Sequence, residues 1–475
     1  MSTQTPNYGL TKPTYPEPAD VAVINGNMDI IDTQMKSIDD KIVTNRKYGA
    51  QRSLSSSNPT LTRIWDAVGK VANASVGTAH ANNDFDSIYP WSEMRVCNIQ
   101  IVDGEIVVTA YKGDPNFKRD GSNGQVAVEI PTFYWCPTDL YDGYETYGVS
   151  AQSIAGWVRS PKRYIGAYNA VDDGGTKLKS VSGLKPLVST SLTNFRTKAR
   201  ATDTVCQLCD LDDWNCLAVL FCVEFATLNS QAIMYGASGM SDAYNQEHTI
   251  ASVISDTQFT CENANKYVAG QGICIGTAKN GEQITPYVVI DSVVDQTITL
   301  KTAVNNLAVG NYISTRTWVT GNADNVQVSG TMIADNRHPM VYRGVENLWG
   351  NIYQWLDGVL INDNQGYVCG DKSKFASSIT ADYDELSYTN ANANGYAKSL
   401  GIDHNHPQAR LTAEIGASAS TYYCDYYYQN TGLRACYFGG YWYCGTYGGL
   451  FSWSLVYAPS GTDVGLGSRL SWKTI

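Results

Sequence analysis

The sequence predicts an α+β protein with a coiled-coil helix at its N-terminus, a mixed body, and a small all-β module inserted into that body. Three observations lead there. Residues 20–42 carry an apolar repeat at alternating spacings of three and four. The run WNCLAVLFCVEFATLN at 214–229 is so apolar that only a buried helix accounts for it. Short β-branched runs punctuated by Gly, Asn and Asp fill 247–317, as in an antiparallel module. The expected divisions are 1–48, 49–245, 246–317 and 318–475.

Composition narrows the function before any motif does. A chain of 475 residues can bury a sizeable core and should hold more than one unit. Its net charge of -11 and pI near 5.0, with no basic run, argue against nucleic-acid binding. No apolar stretch approaches the roughly 18 residues of a membrane span, and no signal peptide is visible at the start. Twelve cysteines scatter from Cys97 to Cys444, a pattern better suited to free buried thiols than to a disulfide framework. Cys206 and Cys209 form one CxxC without the second pair a zinc site would need.

Residues 1–19 are rich in Pro and Tyr and should be extended. Val21, Ile24, Met28, Ile31, Met35, Ile38 and Ile42 then make a heptad seam, with Asp20 placed to cap it. Ile-rich layers favour trimers over dimers, so Ile24, Met28, Ile31, Met35, Ile38 and Ile42 are expected to join a homotrimer. The alternative is one amphipathic helix lying on its own domain. TPNYGLTKPTYPEPADVAVINGNMDIID resembles the start of phage tail and baseplate-associated fibre proteins over about the first 35 residues. The resemblance implies that this end attaches to a phage tail or baseplate protein.

Further along, Val107–Ala110 and Val126–Trp135 read as strands and Ser150–Trp157 as a short helix. Gly174–Leu192 reads as a surface loop, and Thr193–Leu211 as a helix preceding the apolar one. Glu224, inside the apolar helix, is better explained as a satisfied core carboxylate than as a catalytic group. The β module at 247–317 would enter at a loop tip, with its two ends close together.

The segment NLWGNIYQWLDG at 347–358 resembles a signature of the C-type-lectin fold, in the branch shared with formylglycine-generating enzymes. That resemblance implies a structural role for Trp349, Tyr353, Trp355 and Asp357, and sets the expected fold as C-type-lectin. Asp357, Asp363 and Asn364 are also conceivable calcium ligands, being hard oxygen donors. No cofactor or metal is expected. The late cysteine segment that the oxidising enzymes of this branch use has Arg469 and Leu470 in its place, which argues against their copper chemistry.

The C-terminal stretch 421–472 carries the strongest functional signal. From Tyr437 to Leu470 there is no Lys, Glu, Gln, His, Asn or Met, and only Asp463 and Arg469 are charged. Stiff aromatic contact groups among small adaptable ones are the composition of a paratope rather than of a catalytic site. The frame DYYYQNTGLR, GGYWYCGTYGGLFSWSLVYAPS and GSRL resembles the variable proteins of diversity-generating retroelements, the group that includes the phage major tropism determinant. In that family template adenines are copied with errors, so varied positions descend from AAC codons. Tyr441, Tyr443, Cys444, Thr446, Tyr447, Ser452, Ser454, Val456, Tyr457, Pro459, Gly461 and Asp463 are all reachable from AAC, whereas the scaffold residues Trp442, Trp453 and Trp472 are not. If Phe451 and Trp453 point inward with period two, Ser452 and Ser454 should point outward.

The expectation is thus a receptor-binding tail-fibre protein, made in the bacterial cytoplasm and assembled into the virion. It would show a diversified face to a host surface molecule, protein or glycan, and would be neither an enzyme nor membrane-inserted. The alternatives are a structural tail or baseplate part, and an enzyme acting on host glycan, for which no carboxylate pair stands out.

Overall fold

Strands dominate the chain. The computed structural model describes residues 3–4, 11–12, 21–44, 46–76, 81–323, 331–332 and 335–473, with side chains of the N-terminal helix described over 23–35. It is 37% strand and 15% helix, arranged in mainly antiparallel sheets, the larger ones of five, six, seven and nine strands. The α+β C-type-lectin fold with an N-terminal coiled coil, expected from the sequence, is therefore not what the chain adopts. The reason lies in 47–208, where the sequence looked mixed. Thirteen strands from Lys47–Ser53 to Cys206–Leu208 lie there, most too short for a period-two signal to register. Among the described residues of the body, only two helices exceed five residues: α2 (Leu192–Thr202) and α3 (Leu211–Phe225).

The N-terminal helix α1 runs over Val21–Thr44 as a single helix. Ile24, Met28, Ile31 and Met35 are exposed on it, at 50%, 62%, 42% and 63%. Its seam thus faces solvent. The side chains of Val21, Ile38 and Ile42, the cap Asp20 and most of the TPNYGLTKP motif lie outside the described residues.

Three local expectations are corrected. Ser150–Trp157 is no helix: Tyr144–Ser150 pairs along its whole length with Lys47–Ser53, and a turn then closes by Trp157 N–H donating to the Ile154 carbonyl. The helix expected over Thr193–Leu211 stops at Thr202. There the Asp203 carboxylate accepts from the backbone of Val205 and Cys206 and turns the chain into the strand Cys206–Leu208. Gly174–Leu192 is only partly surface, because Leu178, Ser180 and Val181 are buried beneath it.

Helix α3 is the core of the body. Asp210 caps it with Asp213 in a reciprocal capping box, and almost every side chain along it is buried. Trp214 packs on Trp453 with centroids 4.5 Å apart and edge-on against Phe451 at 5.9 Å, which seats the helix behind the nine-stranded sheet. That sheet contains Tyr353–Asn362, Leu433–Gly439, Gly449–Leu455 and Tyr426–Gln429 as consecutive neighbours. Glu224 sits at 1% exposure, accepting hydrogen bonds from Asn83, Tyr342 and Arg343 at 2.6 to 3.0 Å, as a satisfied core carboxylate does.

Residues 248–318 form a seven-stranded antiparallel sheet with its own apolar core around Phe259, Ile273, Ile290 and Ile313. Its entry and exit run side by side, His248 opposite Ile313 and Thr249 opposite Tyr312. Trp318, at its exit, is buried with Met240, Ile352 and Trp442. That cluster joins the root of the module to the C-terminal stretch.

Candidate binding site

The site forms where Leu433–Gly439 hands over to Gly449–Leu455. Gly440 has φ +78°, and a Cβ there would lie 2.7 Å from the Gly448 Cα, so the two ends of the turn can close only on glycine. Three distant segments pin the turn. Gln231 donates to the Gly445 and Gly448 carbonyls at 2.8 and 2.7 Å. The Trp442 carbonyl accepts from Met240 N–H at 2.6 Å, and its N–H donates to the Asn351 carbonyl at 3.2 Å. Trp442 is fully buried, and this fixes the outward course of Tyr441 and Tyr443 on either side.

The rings that follow enclose a cavity of about 400 Å³. Tyr441 meets Tyr443 at 4.3 Å and Tyr353 at 5.3 Å, and Tyr437 stacks with Tyr457 at 5.9 Å. Outside it, Tyr244 at the root of the inserted module lies parallel to Tyr443 at 4.8 Å. The lining is Tyr353, Tyr428, Tyr437, Tyr441, Tyr443, Cys444, Tyr447, Ser454, Val456, Tyr457, Asp463 and Leu466. Eight of the twelve positions singled out from the sequence therefore converge on one pocket.

The other four do not line it. Thr446 is exposed beside the rim, within 3.3 Å of the Tyr396 hydroxyl. Pro459 is buried and Gly461 partly so. Ser452 is fully buried and donates to the Tyr426 carbonyl at 3.1 Å. The outward placement expected for Ser452 and Ser454 thus fails for both, Ser454 being 2% exposed. Gly449–Leu455 is an interior strand, flanked by Leu433–Gly439 and Tyr426–Gln429, and both of its faces are covered. Ser454 meets the cavity from beneath; Ser452 does not.

Chemically the pocket is aromatic, hydroxylated and nearly uncharged. Asp463 is its single charged residue, accepting from the Tyr457 hydroxyl at 3.0 Å and from Gly465 N–H at 2.8 Å. Burial, with Asp463 beside it, pushes the Tyr457 hydroxyl up to about 12. Burial pushes the Cys444 thiol up to about 11, and its sulfur lies 3.6 Å from the Tyr353 hydroxyl. At neutral pH these groups are protonated donors rather than nucleophiles or bases. The described lining residues hold one carboxylate and no carboxylate pair of the kind glycoside hydrolysis uses.

Arg196 clamps Asp357 with two bonds of 2.7 Å, and Asp363 accepts from Gly432 N–H at 2.7 Å. Among the described residues no cluster of three or more His, Cys, Asp or Glu is arranged to hold a metal ion. All twelve cysteines, Cys206 and Cys209 included, are buried and unpaired. Trp349, Trp355, Trp442, Trp453 and Trp472 are all at 0% exposure. Three of their indoles donate inward: Trp349 to the Met234 carbonyl, Trp355 to the Thr190 carbonyl and Trp472 to Asp203. Arg469, also buried, donates to Gln354 and to the carbonyls of Gly166, Glu346 and Asn347, and so ties the chain's end to the strand beneath the pocket.

Sequence reasoning missed Tyr428, Tyr437 and Leu466 as lining and gave Tyr353 only a structural role. The first three all lie within the stretch it singled out, Tyr428 inside the DYYYQNTG frame. Gln231 and Tyr244 had no local signal at all, because their partners lie about two hundred residues downstream. No protein-family model matches the chain, and no curated protein sequence matches it significantly.

Proposed function

We propose that this protein is a receptor-binding protein of a phage tail, and that the tyrosine-lined pocket and its rim contact a molecule on the host bacterial surface. The observation that carries this reading is the convergence of eight of the twelve singled-out positions on one open aromatic cavity lacking a catalytic pair. Tyr447, at 41% exposure, and the half-buried Tyr441 and Tyr443 present contact area that a purely structural part would have no reason to leave open. The resemblance to retroelement variable proteins adds that the rim is a diversified face. The buried tryptophans beneath it form a frame whose codons that process cannot reach.

In this reading the N-terminal end attaches to the tail or baseplate of the virion. Three copies assemble in this reading. Three linked sites turn weak single contacts into usable avidity when receptors are spaced within reach.

The test is to sequence the gene from the Thr421 codon to its end across a phage population grown from one clone. Substitutions concentrated at Tyr441, Tyr443, Tyr447, Tyr457 and Asp463 that spare Trp442, Trp453, Gly439 and Gly440 support diversification. An invariant stretch removes it. Adsorption of the purified chain to host cells then decides between a fixed receptor binder and a structural tail part.

A further inference from the structure

The geometry points to a ligand class for this pocket, on the reading that it is the receptor site: a quaternary ammonium head of the trimethylalkyl type, as choline carries. The cavity is walled by seven tyrosine rings, and its one charge is the Asp463 carboxylate. No Lys, Arg or His lines it to compete for that charge. Aromatic faces attract a desolvated cation through their quadrupoles, and a carboxylate at one edge supplies the counter-charge. A neutral sugar can stack on such rings but leaves the carboxylate without a counter-charge, and an anionic sugar is repelled by it.

The state of Asp463 selects among cations. Each of its oxygens already accepts a hydrogen bond, from Tyr457 and from Gly465 N–H. A primary ammonium brings three donors that lose water on entry and need three acceptors. A trimethylammonium brings none. It offers a diffuse charge under methyl groups, matching a lining made mostly of tyrosines and a carboxylate whose two oxygens are each already engaged. A cavity of about 400 Å³ leaves room for the group that carries the head.

The experiment titrates the full chain with choline and with 3,3-dimethylbutan-1-ol, its neutral isostere of the same shape, following tyrosine fluorescence and heat. Choline is expected to bind about tenfold tighter or more, the factor that about 1.4 kcal/mol of cation–π attraction gives. Equal affinity, or no choline binding, overturns the assignment, because the pocket would then select shape alone. Nα-acetyl-lysine methylamide is the third ligand, and binding as tight as choline overturns the choice of a quaternary over a primary cation. Asp463→Asn should weaken choline about three- to tenfold and leave the alcohol unchanged. The isostere comparison uses the unaltered chain, so it decides even where Asp463→Asn fails to fold. Failure here is separable from failure of the receptor reading. A chain that adsorbs to host cells but ignores choline keeps the receptor role and loses this ligand, whereas one that binds choline and adsorbs to no cell does the reverse.

Discussion

The core of the body and the tyrosine pocket handle charge in opposite ways. Inside, several strong charges are closed on an opposite partner. Glu224 is held by Arg343, Glu145 lies between Arg52 and Arg410, and Arg196 grips Asp357, all at 7% side-chain exposure or less. In the pocket one carboxylate sits among tyrosines, with no Lys, Arg or His among the described lining residues. Closed pairs specify one arrangement of distant segments, Glu145 and Arg410 being 265 residues apart in sequence. An unclosed charge in a formed cavity leaves a place for a partner. The difference separates a frame that must not change from a face that can.

Removing one member of a closed pair should give the largest effect. Arg343→Met leaves the Glu224 carboxylate hydrogen-bonded to Tyr342 and Asn83 without its ion-pair partner, and should cost about 3–5 kcal/mol of stability. Chemical denaturation measures it. Ligand affinity of the fraction still folded should be unchanged, since Arg343 does not line the pocket. A loss of stability under about 1 kcal/mol would show that the pair is not what holds the frame.

A subtler contrast lies within the frame. Burial works against ionising Glu145, but the Arg410 and Arg52 charges outweigh it and hold the carboxyl below its ordinary value. Its stabilising contribution is therefore present above the ordinary carboxylate range and is lost as pH falls through the folded value. Asp425 is equally buried and has no cation. Burial raises it well above its ordinary value, and the bond it accepts from Phe451 N–H at 2.7 Å only partly offsets this. Its contribution is fully present below the ordinary range and is lost as pH rises toward the folded value. Glu145→Gln should cost about 2–3 kcal/mol at pH 7 and flatten the acid limb of the stability profile. Asp425→Asn should keep the Phe451 bond, add about 1 kcal/mol at pH 7 and remove the decline on the alkaline side. Thermal melts from pH 4 to pH 8 read both, and matching slopes for the two variants would refute the contrast.

How far the sequence reaches depends on whether the determinant is local. Helix α1 was readable from its spacing and α3 from an unbroken apolar run, because each signal lies within its own element. Eight of the lining positions were named through the frame resemblance, inside a stretch whose lack of Lys, Glu, Gln, His, Asn and Met is a local fact. The overall fold was not. The motif NLWGNIYQWLDG does mark buried tryptophans, but twelve residues say nothing about thirteen short strands upstream. The orientation of Ser452 failed for a related reason. Period two fixes which side a residue takes, and only the neighbouring strands and covering rings decide whether that side meets solvent. Gln231, Tyr244 and the ion pairs of the frame join residues more than ninety apart, where a single sequence carries no pairing signal.

The smallest stability effect should come from the face, and it is the sharpest test of the separation. Tyr447 lines the cavity, leaves 41% of its surface in solvent, and touches Tyr426 at 4.5 Å and Tyr396 at 5.6 Å between ring centroids. It takes part in no closed charge pair. Truncation in Tyr447→Ala forfeits those edge contacts, worth about 1 kcal/mol together in so exposed a setting. If the pocket is the binding face, the same substitution should weaken attachment to host cells by about 2 kcal/mol, near thirtyfold, as loss of a rim aromatic does. Stability and attachment should therefore respond in opposite proportion to Arg343→Met and Tyr447→Ala. Should Tyr447→Ala instead unfold the chain as severely as Arg343→Met while the folded fraction attaches normally, the tyrosine belongs to the frame. The pocket would then be a packing defect of an aromatic core rather than a site.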